Sequence, residues 1–169
     1  MAIIATDIKI RLSGGAGNAN VNLSLGGIKS TTEVVDNTLH NLFDQVTGTE
    51  SAAGDVEYRC VYVHNNHGTL TMQNTAVYIN SNTSSPGDTW DIALAGEGLN
   101  QTAETVGTEA NAPVGETFSA PTTYATGLAV GNIPAGQHYG LWIRRTVTGG
   151  AAAFDNDTVS LKVDCDTAA

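Results

Sequence analysis

Hydrophobic and polar residues alternate along most of the chain after residue 55. A period of two places successive side chains on opposite faces of an extended backbone, so each run predicts a β-strand. Clusters of glycine, proline and asparagine separate the runs, and this spacing predicts an all-β fold, a β-sandwich or jelly roll. The strands predicted after residue 55 cover residues 56–63, 69–79, 89–94, 102–106, 127–130, 138–147 and 158–163.

Three features of these strands and their connections bear on the fold. The segment His64-Asn-Asn-His-Gly68 separates two long runs and ends in residues that tolerate positive φ, which predicts a hairpin connection. Strict alternation fails at Asn74 and Thr75, which predicts a β-bulge. The polar loops at 81–88 and 111–126 are long enough to project from the sandwich and contact a partner.

One helix is predicted near residues 38–46, ending before Gly48. Its apolar residues fall at i, i+3, i+4 and i+7, the spacing of one helical face, and Asp36 or Asn37 would cap it. Because so short a helix is not stable alone, we expect it to cover one edge of the sheets. The apolar residues are Leu39, Leu42, Phe43 and Val46.

The N-terminal segment, residues 1–30, differs chemically from the rest of the chain. It carries three cations (Lys9, Arg11 and Lys29) and one carboxylate, whereas residues 31–169 carry four cations and sixteen carboxylates. Residues 8–12 alternate like a strand, 13–20 are rich in glycine, and 21–25 form a second short run. We therefore divide the chain into an N-terminal arm, residues 1–30, and a β-sandwich domain, residues 31–169.

Length, charge and hydropathy narrow the possible functions. The chain has 169 residues, enough for one domain with its own core. The net charge of −10 disfavours nucleic acids and anionic membranes as partners. No apolar run approaches the ~20 residues of a membrane span, and the N-terminus lacks the pattern of a signal peptide. We expect synthesis in a cytoplasm, where Cys60 and Cys165 remain free thiols in strand positions, although a disulfide is possible if their strands meet.

No combination of residues indicates catalysis, a metal or a cofactor, so we predict that the protein is not an enzyme. His64 and His67 have no third ligand at zinc-site spacing, and no nucleophile motif is present. Gly14-Gly-Ala-Gly17 lacks the Lys-Ser/Thr of a phosphate-binding loop, so flexibility explains these glycines better. The carboxylates Asp88 and Asp91, or Glu97 and Glu104, form pairs only because carboxylates are abundant. Residues 155–157 and 164–166 offer oxygen ligands for calcium, but a solvated turn and a strand end are favoured.

Six aromatic residues are candidates for a sugar-stacking platform on one sheet. Trp142 and Arg144 alternate with Leu141, Ile143 and Arg145, so the two faces of this strand differ. Packing in the core, or a buried pair of arginine and carboxylate, is the favoured interpretation. The six aromatic residues are Tyr58, Tyr62, Tyr78, Trp90, Tyr139 and Trp142.

Several separated stretches resemble a family of small structural proteins of tailed-bacteriophage virions. The resemblance extends over nearly the whole chain and contains no active-site signature. The stretches are Leu12-Ser-Gly-Gly-Ala-Gly-Asn, Ser24-Leu-Gly-Gly, Asn41-Leu-Phe-Asp, Gly54-Asp-Val-Glu-Tyr-Arg-Cys-Val-Tyr-Val, Trp142-Ile-Arg-Arg-Thr-Val and Asn156-Asp-Thr-Val-Ser-Leu.

This resemblance implies a decoration, or cement, protein that binds the outside of the assembled capsid as a homotrimer and stabilises neighbouring capsomers. Its partner would be the major capsid protein. We expect the basic arm to dock on the shell through Lys9, Arg11, Gly14, Gly15 and Gly17. A second arrangement remains open, in which the first strand completes the sandwich and the loops dock. The alternative function is a tail or neck module that binds a host-surface glycan or another virion protein.

Overall fold

Two antiparallel β-sheets pack face to face in the computed structural model, which describes residues 2–83, 87–152 and 157–167. A four-stranded sheet has the order β1-β3-β8-β5, a three-stranded sheet has the order β7-β4-β9, and β2 pairs with β6. The all-β sandwich predicted from the alternation is confirmed. The elements are β1 (Ile8–Leu12), β2 (Gly26–Gly27), α1 (Gly48–Ala53), β3 (Asp55–Asn65), β4 (Met72–Asn82), β5 (Asp88–Leu94), β6 (Ala103–Thr105), β7 (Leu128–Ile133), β8 (His138–Val147) and β9 (Val159–Thr167).

The main core lies between the two sheets. Val61 and Val63 of β3 and Leu141 of β8 face Val77 of β4 and Ile133 of β7. All five side chains are at most 1% exposed. Because successive side chains of a strand point to opposite faces, every second residue of β3 and β8 points away from this core and must be buried by another layer.

That other layer consists of loops on the outer face of the four-stranded sheet. Tyr62 of β3 and Trp142 of β8 are 0% exposed beneath Ala103 and Val106, which belong to the β6 region. Phe118 closes the same cluster, with its ring edge-on to Tyr58 at 5.5 Å between centroids. Both faces of β3 are therefore covered, which explains why it is buried continuously from Glu57 to Asn65.

The structure corrects the predicted hairpin at residues 64–68. β3 and β4 belong to different sheets, so this segment crosses between sheets. The Asn65 amide fixes the corner by donating to the carbonyls of Leu70 and Ile133, both at 2.8 Å. The bulge predicted at Asn74 and Thr75 is confirmed, because the pairing of β4 shifts register there.

The helix predicted near 38–46 is absent from those residues, which form turns and bends. Asn37 and His40 adopt positive φ, at 55° and 56°, and this conformation cannot continue a right-handed helix. Leu39 is 75% exposed, and Phe43 alone of the predicted apolar face is fully inserted in the core. The one short α-helix among the described residues follows at Gly48–Ala53, where the sequence pattern predicted the end of the helix.

The remaining connections differ in how they pack. Residues 21–25 do not extend a strand, because Val21–Leu23 is a single 3-10 turn. The 111–126 segment lies partly along β5, where Ser119 and Ile92 exchange backbone hydrogen bonds. The predicted 81–88 loop falls partly outside the described residues. Within the described ranges, no helix has the length and apolar character needed to cross a membrane.

Candidate docking surface

The predicted arm begins with β1, which is an integral strand of the four-stranded sheet. Ile8 to Leu12 pair antiparallel with Asn65 to Val61 of β3. Ile10 packs against the main core and Leu12, on the same strand face, is 1% exposed, so the apolar face predicted from the alternation is directed inward. Lys9 and Arg11 therefore lie on the outer face of this sheet. The first strand thus completes the sandwich, as in the second arrangement considered from the sequence.

The glycines after β1 form a hydrogen-bonded turn against the body. Gly14 and Gly15 have φ values of 91° and 120°, which other residues rarely adopt. Gly15 N donates to Ile28 O at 3.0 Å, and Thr31 N donates to Ala16 O at 3.0 Å. A Cβ at Gly14 would lie 2.1 Å from Leu23 O, so the chain passes too close for a side chain. These contacts form a fixed turn where the sequence predicted a flexible connection. Gly17 differs from Gly14, because a Cβ at Gly17 would meet no atom within 4 Å.

Arg11 and Lys29 differ from the other five cations of the chain. Each of the others lies within ion-pair distance of a carboxylate; for example, Lys9 Nζ is 3.1 Å from Glu33 Oε1 and Lys162 Nζ is 3.1 Å from Asp164 Oδ2. Within the part of the chain that the structure describes, Arg11 and Lys29 have no such partner. Over the described ranges, a protein with net charge −10 thus keeps two cations of its N-terminal segment without a carboxylate within ion-pair distance.

Arg11 and Lys29 form one basic cluster with two histidines. Arg11 Nε donates to His64 Nδ1 at 3.3 Å, and His138 is the cross-strand neighbour of His64. Burial, with the charges of Lys29 and Arg11, lowers the pKa of His64 to about 4. Burial and the charge of Arg11 also lower the pKa of Lys29. Burial and the charge of Lys29 also lower the pKa of His138. Both histidines are consequently neutral near pH 7, and the positive charge of the cluster resides on Arg11 and Lys29.

An apolar groove begins next to Lys29 in sequence. Leu23 and Ile28 line it and are 56% and 57% exposed. Gly26 and Gly27 of β2 and Val106 also line it. Two large apolar side chains exposed in one groove, with Lys29 following Ile28 in the sequence, make this surface a candidate protein interaction site.

We define the docking surface as Arg11, Leu23, Ile28 and Lys29. Of these, only Arg11 was predicted from the sequence as a docking residue, and Lys29 was assigned to the basic arm without a role of its own. Leu23 and Ile28 were missed because local sequence does not reveal which apolar side chains remain uncovered. Lys9 lies on the same strand face but pairs with Glu33, and Gly14 and Gly15 line the groove.

The carboxylates considered for catalysis have structural partners. Asp88 accepts a hydrogen bond from Trp90 Nε1 at 2.9 Å, and Asp91 accepts one from Arg144 at 2.7 Å. Glu97 accepts from the backbone N of Glu104 at 2.7 Å. These contacts hold strands and loops together and do not direct two carboxyl groups toward a shared cleft.

The residues considered for calcium are engaged in the same way. Asp164 accepts from the Tyr78 hydroxyl at 2.7 Å, and Asp166 accepts from the Asn74 amide at 2.9 Å. Of the 155–157 segment, residues 155 and 156 lie outside the described residues. Another acidic cluster was not predicted from the sequence. Its three carboxylates all form ion pairs with arginines: Asp44 and Glu57 with Arg145, and Glu109 with Arg59.

The cysteines and aromatic residues support the packing interpretation. Cys60 and Cys165 are both free and lie in different sheets. Burial raises the pKa of each thiol, most strongly that of Cys60, which is 0% exposed. The structure does not bring the six aromatic residues together as an exposed platform. Four of them are buried, namely Tyr58, Tyr62, Tyr78 and Trp142.

Comparison of the chain with protein-family models, with curated proteins and with solved structures found no match. The docking surface is therefore interpreted from its own geometry and from the sequence resemblance described above.

Proposed function

We propose that this protein is a decoration protein of a tailed-bacteriophage capsid. It binds the outside of the assembled head, contacts the major capsid protein through the docking surface and stabilises neighbouring capsomers. The virion-protein resemblance supports the setting. The observation that carries the docking role is that Arg11 and Lys29 have no carboxylate partner among the described residues of a strongly acidic protein, and that Lys29 directly follows the exposed Ile28.

The chemistry of the docking surface defines its partner. Arg11 and Lys29 favour carboxylates of the shell, and the groove lined by Leu23 and Val106 accommodates an apolar side chain. The acidic remainder of the protein would repel DNA and other acidic surfaces, which keeps binding specific to the shell. The glycan-binding alternative has less support, because four of the six candidate aromatic residues are buried, and one of them, Trp142, is 0% exposed.

Binding to undecorated shells, measured by co-sedimentation and located by cryo-electron microscopy, tests this proposal. Lys29→Gln should weaken binding by about tenfold or less, as expected for a rim charge, with a smaller salt dependence. Ala112→Asp, at an exposed position in a loop after β6, changes the net charge equally and should bind like the wild type.

The apolar half of the docking surface has its own matched pair of variants. Ile28→Ser removes a side chain that is 57% exposed, and Val114→Ser removes one that is 81% exposed elsewhere. We expect Ile28→Ser alone to reduce shell binding. Equal binding of all four variants would overturn the assigned surface, and density confined to the tail or neck would overturn the capsid location. Point variants are preferred to truncation of residues 1–20, because truncation would remove β1 from its sheet.

A further inference from the structure

The nine-residue strand β9 lies at the border of the three-stranded sheet. Among the described residues, β9 pairs on one side only, with β4, and no backbone hydrogen bond joins its other edge to the protein. The outer edge of β1, by contrast, is covered, because Ser30 N and Val34 N donate to Leu12 O and Ile10 O, both at 2.8 Å. An uncovered strand edge of this length presents unpaired backbone groups to a partner strand.

The side chains of β9 divide into an apolar and a charged face. Leu161, Val163 and Cys165 pack against the main core but are only half-buried. Lys162 and Asp164 lie on the opposite face, with their Nζ and Oδ2 atoms 3.1 Å apart. The apolar face would be covered further by another strand placed alongside β9.

A second copy of β9 fits this edge in one symmetric antiparallel register. Val163 is the middle residue of Val159–Thr167. When the pairing is centred on Val163, each Lys162 lies opposite Asp164 of the other copy, and each Leu161 lies opposite Cys165. Opposite charges and apolar pairs then face each other over the five central residues of the strand, 161–165.

Neighbouring registers lose this complementarity. Centring the pairing on Lys162 places two ammonium groups opposite each other, and centring it on Asp164 places two carboxylates opposite each other. A shift of one residue in the pairing places the apolar face of one strand and the charged face of the other on the same side of the joined sheet. The charged residues, which would otherwise protect an edge from pairing, thus select one register.

We propose that a second copy of this chain pairs with β9 in the register centred on Val163 and joins two three-stranded sheets into one. The contact is isologous, so it joins two copies and does not close the threefold ring that the virion-protein resemblance implies. It involves the sheet opposite the one that carries Arg11, so both docking surfaces stay accessible. The proposal does not depend on shell binding.

Sedimentation of the full-length protein over a range of concentrations tests this pairing, and charge exchange gives the sharpest comparison. Lys162→Asp and Asp164→Lys each place like charges opposite each other, and each should weaken dimerisation by about tenfold or more. The double variant carrying both changes restores opposite charges and should dimerise within about threefold of the wild type. If the single changes weakened dimerisation only because they unfolded the protein, the double variant would not regain dimerisation.

A milder variant preserves the Lys162–Asp164 contact within the chain. Ser160 is exposed and lies opposite Asp166 in the proposed register, so Ser160→Asp should weaken the dimer. Ala112→Asp is the control with the same charge change. Thermal unfolding verifies that each variant is folded. A monomer at the highest soluble concentration, or an oligomer that none of the β9 variants weakens, would overturn the proposal.

Discussion

Arg145 of β8 and Glu57 of β3 are direct cross-strand neighbours, and Arg145 Nε donates a 2.6 Å hydrogen bond to Glu57 Oε2. Their side chains are 7% and 2% exposed. The Arg145 guanidinium also lies 5.0 Å from the centre of the Phe43 ring. Burial raises the pKa of Glu57, and the charge of Arg145 opposes that rise. Each of the two charges is therefore maintained in the core by the other.

Removing one member of this pair should be strongly destabilising. Arg145→Met leaves the Glu57 carboxylate buried without its ion-pair partner, and we expect a loss of about 3–5 kcal/mol in the free energy of unfolding, measured by chemical denaturation. Arg144→Met is the control. It breaks a pair with Asp91 whose side chains are 32% and 21% exposed, so a loss of about 1 kcal/mol is expected. Equal losses in the two variants would contradict this account.

Asp88 should make the stability of the protein depend on pH. Burial, with the adjacent Asp157 carboxyl, raises the pKa of Asp88 to about 7. In the unfolded chain the same carboxyl titrates near pH ~4. Between these values the folded state binds more protons than the unfolded state, so the free energy of unfolding falls as the pH rises from about 4 to about 7.

The variant Asp88→Asn should remove this contribution and retain an acceptor for Trp90 Nε1. Because one pKa unit corresponds to about 1.4 kcal/mol, we expect the variant to exceed the wild type by at least about 1 kcal/mol above pH 7 and to match it near pH 4. Denaturation curves across this range provide the measurement. Asp36→Asn, at an exposed turn, should leave the slope unchanged. A wild-type slope that persists in Asp88→Asn would exclude Asp88 as its source.

The strands were predictable because the side-chain period of a strand is local, whereas the assignment of strands to sheets was not. β3 pairs with β1 and β8, both of which are distant from it in the sequence, and no local signal specifies those partners. The misplaced helix shows a related limit. Phe43 fitted a helical face, but it is positioned by contacts with Arg59 and Arg145, which approach its ring at 5.3 and 5.0 Å.

The docking surface was predictable only in part. The cations of the N-terminal segment were visible as a charge imbalance in the sequence. Which of them remain unpaired depends on Glu33, which lies beside Lys9 because residues 30–34 run along β1. The exposure of Leu23 and Ile28 likewise depends on the β2–β6 pair, which joins segments that are distant in the sequence. Composition drew attention to the N-terminal segment, and tertiary structure determines which of its cations have a carboxylate partner and which of its apolar side chains are exposed.

The N-terminal capping of α1 can be tested by substitution at its first turn. Thr47 Oγ1 accepts from Glu50 N at 3.3 Å, while Glu50 Oε2 accepts from Thr47 N at 2.6 Å, forming a capping box. We expect Thr47→Ala to lower the free energy of unfolding by about 0.5–2 kcal/mol. Thr49→Ala, within the helix, should change it by less than about 0.5 kcal/mol. If Thr47→Ala left the free energy of unfolding unchanged, the helix would not begin at this residue.

The glycines of the N-terminal segment distinguish a fixed surface from a flexible arm. Gly26 has a φ of 89°, and a Cβ there would lie 1.6 Å from Glu104 O of β6. Gly26→Ala must therefore open the β2–β6 pair that lines the groove. We expect it to cost at least about 2 kcal/mol of stability and to weaken shell binding.

Gly17→Ala provides the decisive contrast. A Cβ at Gly17 meets no atom within 4 Å, so this change should be nearly neutral for folding. A preformed docking surface would bind shells equally well with alanine at this position. A flexible arm would bind differently, because alanine restricts the backbone more than glycine does. Shell co-sedimentation of Gly17→Ala and Gly26→Ala therefore separates the two modes of attachment: loss in Gly26→Ala alone supports the surface, and a change in Gly17→Ala supports the arm.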